Sequence, residues 1–116
     1  MSLLVKNGEI VTATERYPAD IFCADETITR IDRNIPPPPG AEVIDAAGKY
    51  VFPGFIDPHV HIYLPFMGTF AKDTHETAGK AALVGGTTTV IEMACPGRAE
   101  EPLAAFELWL GKAQGH

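Results

Sequence analysis

The chain has 116 residues, of single-domain size, with 46% hydrophobic and 21% charged residues, a composition that predicts a packed core rather than disorder. Nine basic residues against fifteen acidic ones leave a formal net charge of −6, which argues against a nucleic-acid or anionic-membrane partner, since either would need a basic face. No apolar run approaches the roughly 20 residues needed to span a bilayer, and the opening M-S-L-L-V-K does not read as a secretory leader, so a cytoplasmic protein is expected.

In chain order, apolar residues 3–5 and 10–12 flank Asn7-Gly8, a pair that tolerates positive φ and predicts a hairpin. A second hairpin is expected from residues 19–23 and 27–31 about Asp25-Glu26. Pro36 to Pro39 lack backbone donors and predict an exposed, polyproline-like connector. Residues 42–45 and 49–52 flank Ala46-Ala47-Gly48 and suggest one more strand pair, so residues 1–52 read as small antiparallel β structure. Cys23 and Cys95 form no C-x-x-C pair and are expected as two buried thiols in a reducing cytosol.

The pattern changes after Pro53-Gly54. Residues 55–63 are apolar on both faces apart from two histidines, as in a strand buried on both sides in a parallel sheet. Residues 64–70, with Pro65 and Gly68, read as a loop. D-T-H-E places Asp73 as N-cap of a helix that runs to Val84 and stops at Gly85-Gly86. Residues 87–93 are β-branched and apolar, hence strand. A second helix begins near Glu101 with Pro102 in its first turn, and Leu103, Phe106, Leu110 and Ala113 form its apolar stripe. Residues 53–116 therefore read as two consecutive βα units, which build parallel sheets through right-handed crossovers.

The chemistry collects at D-P-H-V-H. Residues i, i+2 and i+4 of a strand share one face, so Asp57, His59 and His61 lie together. Same-face Cα atoms roughly 6.5–7 Å apart allow two imidazoles to converge on one cation, each about 2.0–2.1 Å from it. Asp57 then either orients one ring by a hydrogen bond or joins the ligands. H-x-H alone also arises on ordinary strands. Here the strand is otherwise apolar, so its imidazoles need a polar partner, and it opens a βα series whose C-terminal ends carry the chemistry in barrels. Of the other candidates, His75 is expected to be exposed in a first helical turn. Glu92 faces either a barrel interior or a neighbouring helix, and Trp109 packs on a helix flank. His116 ends the chain with no assigned role. Gly85-Gly86 has no G-x-G-x-x-G context and suggests no nucleotide loop.

P-G-F-I-D-P-H-V-H resembles the first-strand signature of the amidohydrolase superfamily. The following L-P-F-M-G-T, E-T-A-G-K-A-A-L-V-G-G and T-T-T-V-I-E-M are similar to the dihydropyrimidinase and hydantoinase branch of the cyclic amidohydrolases. The similarity covers essentially the whole chain, including P-L-A-A-F-E-L-W-L. It implies an α/β fold with a β-rich N-terminus. Residues 1–52 would be part of a composite β-sandwich domain, and residues 53–116 the first two βα units of a (β/α)8 TIM-like barrel. It also implies hydrolysis of the cyclic amide bond of dihydropyrimidines or hydantoins to N-carbamoyl amino acids. Two divalent ions, usually zinc, bridged by a carboxylated lysine and a hydroxide, would serve that reaction, with a later aspartate moving the proton. His59 and His61 match the pair on the more buried ion. The implied partners are a small cyclic amide substrate and further copies of the protein, as a homotetramer. Tyr63 stands where dihydroorotases and allantoinases usually place arginine or asparagine, which favours the dihydropyrimidinase branch. Leu64 and Phe66 match the apolar loop at the substrate entrance; alternatively they pack against neighbouring loops.

The bridging lysine, two further histidines and the catalytic aspartate belong to later strands in the family, so no catalytic residue is expected within this chain. Lys72, Lys80 and Lys112 lie on or beside helices and replace none of them. A complete barrel takes about 250 residues, so the expectation is an N-terminal fragment of a longer enzyme, inactive by itself. Two alternatives remain. One is a non-catalytic dihydropyrimidinase-like scaffold that oligomerises, against which the retained histidines weigh; the other is a dihydroorotase or allantoinase.

Overall fold

The computed structural model of the chain describes residues 1–115; His116 lies outside them. The chain divides into two compact units, Met1–Pro53 and the residues from Gly54 onward. Among the described residues no helix is long and apolar enough to cross a membrane.

The first unit is a five-stranded sheet of β1 (Ser2–Val11), β2 (Arg16–Ala24), β3 (Thr27–Asp32), β4 (Glu42–Asp45) and β5 (Tyr50–Val51). The order is β3-β2-β1-β4, and β5 also pairs with β1. The hairpin expected at Asn7-Gly8 does not form, because β1 runs through it and pairs with β2 on both sides. Asn7 does take a positive φ of 61°, but as a bulge between Val5 and Gly8 where the register shifts. Its main-chain N–H donates to Asp20 Oδ1 at 2.8 Å and its Nδ2 to Asp45 Oδ1 at 2.9 Å. These distant carboxylates satisfy the bulge and remove the need for a turn. By contrast, the β2–β3 hairpin forms about Asp25-Glu26, both at positive φ (48° and 63°), as a tight primed turn requires.

Strands β4 and β5 do not pair with each other as expected. Both lie parallel to β1, opposite Leu3–Lys6 and Glu9–Ile10 respectively, so the sheet is mixed rather than antiparallel. Asp45 Oδ1 accepts the Ala47 N–H (3.0 Å), and Lys49 N–H donates to the Ala46 carbonyl (2.9 Å), making a jog that returns the chain to its heading. Ala46 N–H bonds Lys6 O and Glu9 N–H bonds Lys49 O, so the jog faces the β1 bulge. Gly8 is required there: a Cβ would stand 2.6 Å from Val51 Cγ2. Pro36 to Pro39 lie in the connector between β3 and β4, without helix or strand.

Leu4, Ile10, Ala19, Ile35 and Ala46 are buried in this unit, together with the carboxylate of Asp20. Asp20 accepts from Lys6 Nζ (2.9 Å) and from the N–H groups of Asn7 (2.8 Å) and Ile35 (2.9 Å). Burial by itself pushes its pKa up, but the Asn7 N–H, the Lys6 ammonium and the Ile35 N–H outweigh that and hold it below the ordinary aspartate value.

The second unit contains β6 (Phe55–Val60), β7 (Pro65–Phe66), β8 (Thr69–Phe70), α1 (His75–Val84), β9 (Thr87–Glu92) and α2 (Pro102–Ala113). Strands β6 and β9 are parallel neighbours on either side of α1, a βαβ arrangement. β6 ends at Val60, before the predicted end at Tyr63. It is not buried on both faces: Phe55 and Ile56 are 55% and 62% exposed, β9 being the one strand paired with β6 among the described residues. Residues 64–70 form a miniature hairpin, β7 with β8, about Met67-Gly68, both at positive φ.

The N-cap of α1 is Thr74, one residue later than Asp73. Thr74 and Thr77 exchange side-chain-to-backbone bonds as a capping box, and Asp73 Oδ1 accepts from the Thr77 hydroxyl at 2.9 Å. The hydroxyl of Thr77 takes the reciprocal role that the D-x-x-E pattern assigned to Glu76, which instead pairs with Lys80. The expected stripe of α2 is also corrected. Leu103, Phe106 and Leu110 are exposed, while Ala105 and Trp109, one turn apart, are buried. The indole is the largest apolar surface on the helix, and it takes the inward face.

Replacing Asp20 with alanine leaves the Asn7 and Ile35 N–H groups without their acceptor and the Lys6 ammonium with the Ile35 carbonyl alone, and should cost about 3 kcal/mol in urea unfolding at neutral pH. Because its folded pKa is lowered, the stabilisation is complete above the unfolded value of about 3.9 and is lost as pH falls through the folded pKa. Asp20→Asn should therefore weaken the acid dependence of stability by one group in the same experiment.

Candidate metal centre

His59 lies near the end of β6, and His61 is the first residue beyond it. Strand alternation alone therefore no longer aligns them, yet their Nε2 atoms stand 3.2 Å apart, with the rings edge-on at 70°. Two nitrogens bound tetrahedrally to one zinc at about 2.0–2.1 Å would lie roughly 3.3 Å apart. The observed spacing suits either an N–H···N bond or a shared cation. Asp57 does not reach an imidazole: its Oδ1 accepts the His59 main-chain N–H at 3.1 Å.

The end of β9 holds the main chain on both sides of His61. Met93 N–H donates to the Val60 carbonyl (3.1 Å), and Glu92 Oε1 accepts the Ile62 N–H (3.0 Å). Cys95, two residues further on, brings Sγ within 3.6 Å of His61 Nδ1. Both Cys23 and Cys95 are half-buried free thiols rather than fully buried ones. Glu92 Oε2 meets His75 Nε2 at 2.6 Å, with side chains only 16% and 12% exposed. His75 is thus not the exposed residue expected, because the first turn of α1 sits against the end of β9, where Glu92 draws the ring inward. Glu92, left open between two faces by sequence, turns toward α1 and the β6 exit.

A cavity of about 480 Å³ opens here, lined by Asp57, His61, Asp73 and His75 among others. Leu64 and Phe66 are not among its lining residues. Leu64 is half-buried and its carbonyl accepts the Ala71 N–H at 2.8 Å; Phe66 is 61% exposed on β7. Tyr63 adopts a φ of 53°, and Lys112 Nζ donates to its carbonyl at 3.3 Å while lying 4.0 Å over the Trp109 ring. Lys80 and Lys112 are on helices and Lys72 lies between β8 and α1, so none stands at the end of the parallel strands β6 or β9. Among the described residues, no three His, Cys, Asp or Glu side chains come together to hold a metal ion. The arrangement fits two ligands of a four-coordinate shell and lacks the others. Sequence reasoning missed Cys95 and the grip of Glu92 and Met93. Their position at the C-terminal end of a parallel strand was the available signal.

A family model described as amidohydrolase family matches residues 42–97. D-hydantoinase of Geobacillus stearothermophilus is 50% identical over 99% of this chain and 24% of its own length, and dihydropyrimidinase 2 of Caenorhabditis briggsae is 45% identical over 97% and 22%. Among solved structures, the D-hydantoinase (dihydropyrimidinase) from Thermus sp. superposes with a TM-score of 0.91 at 70% identity, over 97% of this chain and 25% of that one. Residues 42–97 carry the likeness to the amidohydrolase family. Within it, the resemblance to D-hydantoinases and dihydropyrimidinases extends over nearly every residue. The chain spans about a quarter of the length of the curated relatives it matches.

Glu92→Ala removes the acceptor of the buried Ile62 N–H and should lower stability by about 1–3 kcal/mol in urea unfolding. Glu92→Gln keeps a carbonyl oxygen for Ile62 and should retain most of it.

Proposed function

We infer that this chain is the N-terminal portion of a metal-dependent cyclic amidohydrolase that opens dihydropyrimidines or hydantoins to N-carbamoyl amino acids. The observation that carries the inference is the approach of His59 Nε2 and His61 Nε2 to 3.2 Å within hydantoinase-like sequence. In this reading β6-α1-β9-α2 are the first two units of a (β/α)8 barrel, and residues 1–52 belong to a β-sandwich completed by later chain. The 3.2 Å spacing supports His59 and His61 as two ligands of one divalent ion, zinc in the first instance, with a second ion held by residues outside this chain. Such ions, when bound, polarise the amide carbonyl and lower the pKa of water. What this chain supplies is orientation: Glu92 and Met93 hold the main chain around His61, and Asp57 ties down the His59 N–H. Leu64 and Phe66 would line the substrate entrance once further loops enclose it. The chain alone, with two ligand nitrogens, is not a catalyst. The complete protein would be a cytoplasmic homotetramer, by its likeness to the hydantoinases.

The test is an assay of the full-length gene product against dihydrouracil and hydantoin. Turnover should be abolished by a chelator and restored by zinc, and His61→Ala should lower kcat/KM by at least about 100-fold, the upper end of the cost of losing even an outer metal partner. Turnover that ignores the chelator would refute the metal-dependent reading.

A further inference from the structure

We propose that Cys95 is a positioning residue that sets the tautomer of His61, and so decides which of its nitrogens is free to meet a cation. A thiol has one proton to give. The Met93 carbonyl can only accept, and Cys95 Sγ donates to it at 3.4 Å. The sulfur therefore faces His61 Nδ1, 3.6 Å away, as an acceptor, and a bond there requires the proton on Nδ1. A neutral imidazole carries one N–H, so His61 Nε2 is left as a lone pair. That atom points at His59 Nε2, which in the metal-free chain must be the donor across the 3.2 Å gap. The pair is thus asymmetric. His61 is preset to bind through Nε2, whereas His59 must give up its Nε2 proton, to solvent or to its own Nδ1, before both nitrogens can share one ion.

The backbone keeps the ring within reach of the sulfur. Val60 O is bonded to Met93 N–H and Ile62 N–H to Glu92 Oε1, so the residues flanking His61 are tied to the two that precede Ala94-Cys95. The opposite polarity, with the thiol donating to Nδ1, would take the proton from the Met93 carbonyl and put the His61 proton on Nε2. The functional consequence rests on His59 and His61 being cation ligands; the tautomer does not.

The experiment uses the chain with ¹⁵N-labelled histidine, free of metal, at a pH well above the ordinary imidazole pKa of about 6.5. Long-range ¹H–¹⁵N spectra report which ring nitrogen is protonated. The expected result is Nδ1–H for His61 and Nε2–H for His59. In Cys95→Ala, His61 should relax to a mixture of tautomers, and Cys95→Ser, whose hydroxyl both donates and accepts, should restore Nδ1–H. Competition titration with inorganic zinc supplies the second readout: Cys95→Ala should weaken binding about tenfold, Cys95→Ser should bind within a few-fold of the parent, and Cys23→Ala should be unchanged. Finding His61 as Nε2–H in the parent chain, or finding the same tautomer ratio in Cys95→Ala, overturns the proposal. If His61 is Nδ1–H and depends on Cys95 while zinc binds independently of His59 and His61, the tautomer assignment stands and the metal reading falls.

Discussion

The parallel pairing of β6 with β9 is the constraint on which the candidate site depends. It sets Val60 beside Glu92 and lets Met93 N–H close on the Val60 carbonyl just as β6 ends. Glu92 then takes the next free N–H, that of Ile62. His61 is left between two anchored peptide groups, outside the regular strand, where its ring can turn back on His59. Had β6 continued to Tyr63, same-face Cα atoms would sit roughly 6.5–7 Å apart, and the rings would have had to converge by side-chain torsion alone. The close approach of the two imidazoles combines the H-x-H spacing with a main chain anchored at the end of β9.

The first unit rests on a different device. A buried carboxylate, Asp20, collects the Lys6 ammonium and two main-chain N–H groups, one of them at the bulge of β1. That bulge meets the jog between β4 and β5, with Gly8 at the contact because no side chain fits. A polar hub of this kind also favours one register, since a one-residue slip of β1 would move the Asn7 N–H and the Lys6 ammonium away from the buried Asp20 carboxylate.

Local features were legible in the sequence. The turns at Asp25-Glu26 and Gly85-Gly86, the proline at the start of α2, and the two βα units all follow from residues within a few positions of one another. What stayed hidden was set by distant partners. Asn7 announced a positive φ, but whether that meant a turn or a bulge was decided by Asp20 and Asp45, 13 and 38 positions away. Residues 42–52 announced two strands, but not that both would choose β1. The apolar positions of α2 admitted two faces, and the indole of Trp109 selected the less obvious one. That His59 and His61 would lie side by side was readable from spacing; the partners that Cys95, Glu92 and His75 take were not, because they depend on the register between β6 and β9.

Whether the two imidazoles share a cation or only a proton is answered most directly by an anomalous-scattering map, at the zinc edge, of crystals of the metal-loaded full-length protein. The account predicts a peak about 2.0–2.1 Å from both His59 Nε2 and His61 Nε2. A map with the two imidazoles hydrogen-bonded to each other, and zinc located elsewhere or nowhere, would contradict it.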